Sequence, residues 1–212
     1  MDNVEHKYVE FKSSCLQCKI CHDAGLCEPG SRPLFMKKSP KNTDILLVLE
    51  APNDGDTFTP SKGYLTVGPD TDDTGILLHD LFINELCLDV DQYLFITNSV
   101  LCLPRSNGKK YPVNDKLRNN CSVWFKMIID EFQPKIVCTI GHKAFKSAMC
   151  IEQHVKNNYN MRDIVSDPIN WYGRILFPVF HMSKLGRANR SVDLQREDWR
   201  KLRQIYNVVN AA

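Results

Sequence analysis

The sequence predicts an α/β protein with a central parallel sheet between two layers of helices. Four short, nearly continuous apolar runs alternate with longer runs of helical spacing. Continuous apolar runs are typical of strands that are buried on both faces, and strands that alternate with helices form βαβ units with a parallel sheet. Because 212 residues with 43% hydrophobic composition can bury one substantial core, we expect residues 1–212 to form a single domain.

Four strands and four helices account for the predicted three-layer sandwich. The strands are DILLVLE (44–50), YLFITNSV (93–100), KIVCTIG (135–141) and RILFPVF (174–180). The helical runs span 74–88, 114–132, 141–150 and 191–209. Asn114 precedes the second helix and is a candidate N-cap, since its side chain can accept a hydrogen bond from a free backbone N–H. The sheet is therefore expected to have four parallel strands.

Charge and apolar length narrow the classes of function. The formal net charge is only +2, so overall charge does not by itself indicate a polyanionic partner. Basic residues are concentrated from residue 184 to residue 203, which includes seven Lys and Arg. No apolar run approaches the ~20 residues that span a bilayer, and the charged N-terminal stretch lacks the apolar part of a secretion signal. We therefore expect a cytoplasmic protein with reduced cysteines.

Polar side chains stand where the predicted strands end. Glu50, Asn98, Gly141 and His181 each lie at or just past the end of one apolar run. In an open parallel sheet, ligands bind outside the carboxyl ends of the strands. A carboxylate, a carboxamide and an imidazole are therefore expected to converge on one edge of the sheet, which predicts a functional site there.

The stretch CLQCKICHDAGLC (15–27) holds four of the nine cysteines and has no strand or helix pattern. Three interpretations compete: a disulfide framework, a local zinc site of Cys15, Cys18, Cys21 and Cys27, and part of a cluster with ligands elsewhere. A reducing compartment and an odd number of cysteines disfavour disulfides. The cysteines within apolar patterns, Cys87, Cys138 and Cys150, are expected to be small buried side chains.

Four segments, in chain order, carry a resemblance to a known family. DILLVLEAPNDGD resembles a strand followed by Gly-Glu-Ala-Pro-Gly, and FITNSVLCLP resembles Thr-Asn-x-Val-Lys-Cys-Arg-Pro. PKIVCTIGHKA resembles Pro-x-x-Ile-Val-x-Leu-Gly-x-x-Ala, and VFHMSKLGR resembles His-Pro-Ser-x-Leu-x-Arg. These are motifs of the uracil-DNA glycosylase superfamily. The most similar branch is family 4, the iron–sulfur enzymes of bacteria, archaea and some phages, and the resemblance extends from about Cys15 to Arg190.

The resemblance implies a DNA repair hydrolase that removes uracil, or a related modified pyrimidine, from single- or double-stranded DNA. It implies that His181 donates a hydrogen bond to uracil O2 and that Glu50 orients the attacking water or favours the sugar cation. Asn98 is implied to read the uracil edge. Since cytosine presents the opposite pattern of donor and acceptor, a fixed carboxamide can discriminate between the two bases. A monomer is expected, in the cytoplasm of a bacterium or of a phage-infected host.

Further binding residues are implied by the same motifs. Pro52 and Asn53 belong to the first motif and are expected beside the base. The stacking phenylalanine of the family corresponds to Thr66 in KGYLTVG, and Tyr64 is the alternative stacking ring. The DNA backbone is expected to contact the residues that follow His181, which are Ser183, Lys184, Arg187 and Arg190.

The resemblance also assigns a cofactor. Family 4 enzymes hold a [4Fe–4S] cluster with a Cys-x-x-Cys pair and two later cysteines, which correspond here to Cys15, Cys18, Cys102 and Cys121. Four thiolates suit such a cluster, and its role by analogy is structural. Zinc is the alternative metal, and the resemblance gives no role to Cys21 and Cys27.

The sequence departs from the family at several motif positions. Asn53 replaces a glycine, Leu101 and Leu103 replace a lysine and an arginine, and Met182 replaces a proline. An added PDTDD places acidic residues beside the expected DNA groove, where like charge would weaken phosphate binding. The alternative is therefore a protein with the glycosylase fold that binds DNA or a protein partner without releasing a base.

Overall fold

Five strands form one sheet at the centre of the structure. The computed structural model describes residues 3–52, 64–65, 67–108, 112–152 and 159–211. The strands in this part of the chain are β1 (Ile45–Leu49), β2 (Ile96–Asn98), β3 (Ile136–Ile140), β4 (Ile169–Trp171) and β5 (Arg174–Val179). Their order across the sheet is β2-β1-β3-β5-β4. The four predicted strands are parallel neighbours, so the expected α/β fold is confirmed.

Helices cover both faces of this sheet. Before β2 they are α1 (Asn3–Leu16), α2 (Ile20–Asp23), α3 (Asp73–Asp80) and α4 (Val90–Tyr93). After β2 they are α5 (Asp115–Phe132), α6 (His142–Met149), α7 (Met161–Ile164), α8 (Lys184–Asn189) and α9 (Val192–Ala211). Asn114 caps α5 as expected, since its side chain accepts a hydrogen bond from Leu117 N at 2.9 Å. None of the described helices is long and apolar enough to cross a bilayer.

The fifth strand, β4, is a feature that the apolar pattern did not predict. It is only three residues long, is partly exposed, and pairs antiparallel with β5. The two residues between these strands, Tyr172 and Gly173, both have positive φ values of 48° and 67°, which is typical of a tight hairpin turn. The expectation of four strands was therefore one short, because a short edge strand with one polar residue lacks the continuous apolar run of a central strand.

Alternate residues of β1 face two separate hydrophobic cores. Ile45, Leu47 and Leu49 pack with residues of α3 and α9 on one side. Leu46 and Val48 pack with residues of α1, α5 and α6 on the other. Because successive side chains of a strand point to opposite faces, every residue of β1 is buried, which is why this strand reads as a continuous apolar run.

The N-terminal segment forms a helix that the sequence interpretation did not predict. Tyr8 and Phe11 of α1 are 1% and 2% exposed and pack with an aromatic cluster that includes Phe132. The Tyr8 hydroxyl accepts a hydrogen bond from Met36 N at 3.1 Å. Residues 4, 8, 11 and 15 all lie in this core, and their spacing is the signal of a buried helix face that the many charges between them obscured.

A charged network joins α3 to α9. The predicted helix 74–88 is shorter in the structure. α3 ends at Asp80 and is followed by a π-helical turn, Leu81–Glu85. The Glu85 carboxylate in this turn is 7% exposed and accepts hydrogen bonds from Arg196 and Arg200 of α9, both at 2.7 Å. Although burial raises the pKa of Glu85, these hydrogen bonds outweigh it and hold that pKa below its usual value.

This network leads to a prediction about stability. Glu85→Gln should lower the free energy of unfolding by about 2 kcal/mol, because hydrogen bonds to a charged group are lost. Since the native pKa of Glu85 is lowered, its contribution is present above the unfolded-state pKa and disappears as pH falls through the native pKa. Urea unfolding at neutral and at acidic pH measures both effects. Asp91→Asn, which breaks the exposed Lys38–Asp91 pair, is the control and should change stability little. Equal losses in the two variants would contradict this account.

Candidate functional site

The ends of four adjacent parallel strands bring the predicted polar residues to one edge of the sheet. Asn98 ends β2, Glu50 follows β1, Gly141 follows β3, and the next residue but one after β5 is His181. Their order along the edge is therefore Asn98, Glu50, Gly141, His181. From strand spacing, Asn98 and His181 are roughly 14 Å apart at the backbone. A gap of this width leaves room for a small ligand between the two strand ends.

Backbone hydrogen bonds fix the first two strand ends to each other. Asn98 is in register with Leu49. Beyond that pair, the backbone oxygen of Glu50 accepts hydrogen bonds from Val100 N at 3.0 Å and from Ser99 Oγ at 2.8 Å. The carboxamide of Asn98 and the carboxyl of Glu50 are thus positioned on a rigid double strand end rather than on a free loop.

Asn98 is buried without a polar partner in the described structure. It is 1% exposed, and neither its Oδ1 nor its Nδ2 has a hydrogen-bond partner among the described residues. An unsatisfied buried polar group costs about 1–3 kcal/mol, so native proteins rarely retain one without a use for it. A carboxamide that keeps one donor and one acceptor unpaired is equipped to read a ligand with the complementary pair.

Glu50 is partly buried beside two cations. Burial raises the pKa of its carboxyl, and the positive charges of Lys143 and Arg118 oppose that rise without cancelling it. The sequence interpretation did not single out these two cations. Lys143 lies in the first turn of α6, so the segment after Gly141 contributes a charge as well as a turn to this edge.

The backbone at Ser183 fixes the tautomer of His181. Ser183 N donates a hydrogen bond of 3.1 Å to His181 Nδ1. A nitrogen that accepts a hydrogen bond carries no proton, so the neutral imidazole has its proton on Nε2. In its neutral form, His181 is therefore a hydrogen-bond donor through Nε2. This is the role that the sequence resemblance gives to this residue.

Two glycines allow the backbone to approach His181 closely. A Cβ at Gly141 would lie 3.4 Å from His181 Cβ, and the φ of Gly141 is +87°, a conformation that L side chains rarely adopt. A Cβ at Gly186 would lie 1.7 Å from the backbone oxygen of His181. Since this distance is far below any real contact, only glycine lets α8 pack against the end of β5.

The residues after His181 form a capped helix, and their two arginines pair with carboxylates of α3 and α9. The Ser183 side chain caps α8 by accepting from Gly186 N at 3.4 Å. Arg187 pairs with Asp73 at 3.1 Å. Arg190 makes two hydrogen bonds, of 2.5 and 2.6 Å, to the buried carboxylate of Asp198. Both expected phosphate contacts, Arg187 and Arg190, thus have protein partners, and no ion pair to Lys184 is found among the described residues.

The expected base-binding residues are only partly within the described structure. Pro52 is buried. Tyr64 lies with Lys37, whose Nζ is 5.2 Å from the centre of the tyrosine ring, in a cavity beside α1. Asn53 and Thr66 lie outside the described residues.

Three departures from the family motifs are buried. Leu101 and Leu103 are 4% and 6% exposed, and Met182 is completely buried. Leu101 packs in the core beside α5, and Met182 packs in the core beside α9. These positions therefore contribute packing here and cannot present charge to a DNA backbone.

Four cysteines come together where α2, α5 and the segment after β2 meet. Cys21, Cys27, Cys102 and Cys121 share one buried cluster with Val100, Val113 and Leu117. Hydrogen-bonding interactions with Cys121 and then with Cys27 lower the pKa of Cys21. Interaction with Cys102 raises the pKa of Cys27. The pKa values of Cys21, Cys27 and Cys121 thus depend on their cysteine neighbours.

The other expected ligands, Cys15 and Cys18, are placed differently. Cys15 is completely buried among aromatic residues on the α1 side of the sheet, where burial raises its pKa and the neighbouring Cys18 and Cys102 add to that rise. Cys18 is partly exposed. Cys102 thus lies near Cys15 as well as in the buried cluster with Cys21, Cys27 and Cys121, and the expected set of Cys15, Cys18, Cys102 and Cys121 stays a prediction.

The donor set has the right chemistry for an iron–sulfur cluster, although it is not arranged around one point. Within the described ranges, no group of three or more His, Cys, Asp or Glu side chains could hold a single metal ion. A four-iron cluster is larger than one ion and takes four thiolates.

Of the remaining cysteines, Cys138 is buried as expected, whereas Cys87 and Cys150 are exposed because each lies at the end of its helical segment.

Comparison with known proteins agrees with this geometry. No curated protein matches the chain significantly. Residues 36–203 match the profile of the Uracil DNA glycosylase superfamily. This range begins before β1, ends within α9, and contains Glu50, Asn98 and His181. Since it covers most of the chain, the protein belongs to the uracil DNA glycosylase superfamily.

Proposed function

We propose that the protein is a DNA glycosylase that hydrolyses the N-glycosidic bond of deoxyuridine, or of a related modified pyrimidine, in DNA. The observation that carries this proposal is the buried and unpartnered carboxamide of Asn98 at the strand edge. Superfamily membership supports glycosylase chemistry. Uracil as the base and family 4 as the branch are our inferences.

Recognition of the base rests on Asn98. The carboxamide oxygen accepts from uracil N3–H, and its amide group donates to O4. Cytosine offers an acceptor at N3 and a donor at C4, so it would face Asn98 with the wrong pattern at both atoms. Because the side chain is buried without a protein partner among the described residues, a mismatched base would carry the cost of unpaired polar groups.

The leaving group is stabilised by His181. The base must leave the helical stack before its glycosidic bond can be reached. As that bond breaks, negative charge develops on uracil N1 and O2. A neutral Nε2–H held by the Ser183 hydrogen bond donates to O2 without any reorientation during the reaction, which is the condition for effective stabilisation of developing charge.

Glu50 acts on the sugar and the attacking water rather than on the leaving base. Its carboxylate orients the attacking water and stabilises the positive character of the sugar as the bond breaks. Burial raises the pKa of this carboxyl, and the charges of Lys143 and Arg118 oppose that rise. The site thus has a donor for the anion and a carboxylate for the cation.

Contacts to the DNA backbone come from the beginning of α8. Ser183 and Lys184 are the residues without a competing ion pair in the described structure, and they sit directly after His181. Arg187 is held by Asp73 and Arg190 by Asp198. We propose that Arg187 reaches phosphate only by leaving an exposed carboxylate, and that Arg190 positions α8 rather than contacting DNA.

We propose that Cys21, Cys27, Cys102 and Cys121 hold a [4Fe–4S] cluster. The shared burial of these four thiols in one cluster supports this set, in which Cys21 and Cys27 take the places that the sequence resemblance gives to Cys15 and Cys18. When bound, the cluster supplies a structural cross-link rather than a reacting group. The four residues come from the α2 region, the segment after β2, and α5, so this cross-link would hold the N-terminal segment beside the strand end that carries Asn98.

The function is tested by base release from labelled oligonucleotides. Wild type should release uracil from DNA and leave cytosine in place. Asn98→Asp should lose most activity on uracil and gain some on cytosine, because a protonated aspartic acid can present the inverted pattern of donor and acceptor. His181→Ala keeps Asn98 and should lower kcat by about 10²–10³ with little change in KM. If wild type shifts DNA in a gel yet releases no base from uracil, hydroxymethyluracil, hypoxanthine or thymine substrates, the proposal fails in favour of a binding protein.

The raised pKa of Glu50 predicts the acid limb of the pH profile. Since the carboxylate is the active form, kcat/KM should rise with pH through a pKa above the usual glutamate value of about 4.3. Lys143→Gln removes a charge that lowers this pKa, so the limb should move to higher pH. Glu50→Gln should lower kcat/KM and remove the limb. A limb that is unchanged in Glu50→Gln would show that another group titrates, and circular dichroism at each pH checks that the fold is intact.

The ligand set is tested by iron content. Protein purified without oxygen should be brown and contain about four irons per chain. Cys21→Ala and Cys27→Ala should lose iron and colour, whereas Cys18→Ala and the buried control Cys138→Ala should keep both. Retention of iron in Cys21→Ala together with its loss in Cys18→Ala would overturn this set in favour of the Cys-x-x-Cys pair. Stoichiometric zinc without iron would exclude the iron–sulfur cluster.

A further inference from the structure

A cavity with basic and aromatic walls lies beside α1, and Tyr64 is the only described residue of the expected site that lines it. Its volume is about 470 Å³, and it is lined by residues of α1, of the segment before β1, and by Tyr64. That volume is in the range of pockets that bind small organic ligands. The segment before β1 runs along β2, since Leu34 N donates to Leu101 O at 2.9 Å and Ile96 N contacts Met36 Sδ at 3.3 Å. The cavity therefore flanks the outer edge of the strand that ends in Asn98.

The charge of the cavity is positive and has no counterpart among its lining residues. Lys12, Arg32 and Lys37 line it, and no Asp or Glu does. Lys12 is only partly exposed, and its Nζ stands 4.9 Å from the centre of the Tyr8 ring. In the described structure no carboxylate forms an ion pair with any of the three. Adjacent Lys38, by contrast, pairs with Asp91 at 3.4 Å and does not line the cavity.

The aromatic wall is held in place by backbone pairing. Leu65 N donates to Phe35 O at 2.7 Å, and Leu65 forms a bridge with Met36. The same segment is fixed to α1 through the Tyr8 hydroxyl and Met36 N. Tyr64 thus presents its ring, with Lys37 over one face, on a fixed support. Cations that can bind phosphate next to a ring that can stack on a base are the two elements of a nucleotide site.

We propose that this cavity is a second nucleic-acid site, which binds one nucleotide with its phosphate at Lys12 and Arg32 and its base against Tyr64. A nucleotide can be presented by a single-stranded stretch of DNA beside the flipped base or by a free nucleoside phosphate. The inference rests on the proposed function only in taking DNA as the polymer. Its consequence is affinity for DNA that contains no base to be excised.

The test measures binding of an oligothymidylate without uracil, and of free thymidine monophosphate, by fluorescence anisotropy and calorimetry. Lys12→Gln/Arg32→Gln should weaken binding of the oligonucleotide about tenfold and reduce the slope of log K against log salt by about 0.7, the value for one single-strand phosphate contact. The matched control is Lys38→Gln/Lys41→Gln, which removes the same charge from exposed residues outside the cavity. Melting temperatures of both variants check that the fold is retained.

Each outcome decides the inference. A loss of affinity in the cavity variant that exceeds the loss in the control supports the site, and binding of thymidine monophosphate that disappears in the same variant identifies free nucleotide as a ligand. Equal losses in the two variants, or none, overturn it. This test measures binding to DNA without uracil, whereas the proposed function is tested by release of a base. Either proposal can therefore fail while the other stands.

Discussion

The site depends on how closely the backbone packs around His181. Gly186 lies so near the carbonyl of His181 that any Cβ would overlap it, and Gly141 leaves room only for the imidazole. This packing places the first turn of α8 where Ser183 N can donate to Nδ1. The direction of one proton, on Nε2, therefore follows from two glycines and a capped helix. A ring that was free to rotate would not hold its Nε2–H in one direction, so this packing preorganises the donor.

A second constraint ties the N-terminal segment to the strand end that carries Asn98. Glu28 N donates to Leu103 O at 3.1 Å, Leu103 N donates to Ser31 Oγ at 2.8 Å, and Leu34 N donates to Leu101 O. The cluster of Cys21, Cys27, Cys102 and Cys121 lies at the same junction. Leu101 and Leu103 are buried because the N-terminal segment packs along them through these hydrogen bonds. An unpaired cation at either position would therefore carry a large desolvation cost.

The sequence predicted the parts of the structure that repeat a regular pattern. Continuous apolar runs identified the four parallel strands, and the rule for the edge of such a sheet identified Glu50, Asn98 and His181. The short strand β4 and helix α1 were missed, since the first is too short to show a period and charges interrupt the apolar stripe of the second. The contacts of Cys21 and Cys27 could not be predicted either, because the segment that brings them to Cys102 and Cys121 is fixed by long-range hydrogen bonds. The partners of Arg187 and Arg190 are likewise tertiary contacts between residues distant in sequence or on different turns.

The central claim is that His181 is a neutral donor through Nε2 toward a base held by Asn98. Long-range ¹⁵N–¹H correlation spectra of the His181 ring, recorded at neutral pH with and without free uracil, measure this directly. The account predicts a ring protonated on Nε2 alone, with Nδ1 in the shift range of an acceptor, and a downfield shift of the Nε2 proton when uracil binds. A ring protonated on Nδ1, or an Nε2 signal that does not respond to uracil in protein that binds it, would contradict the account.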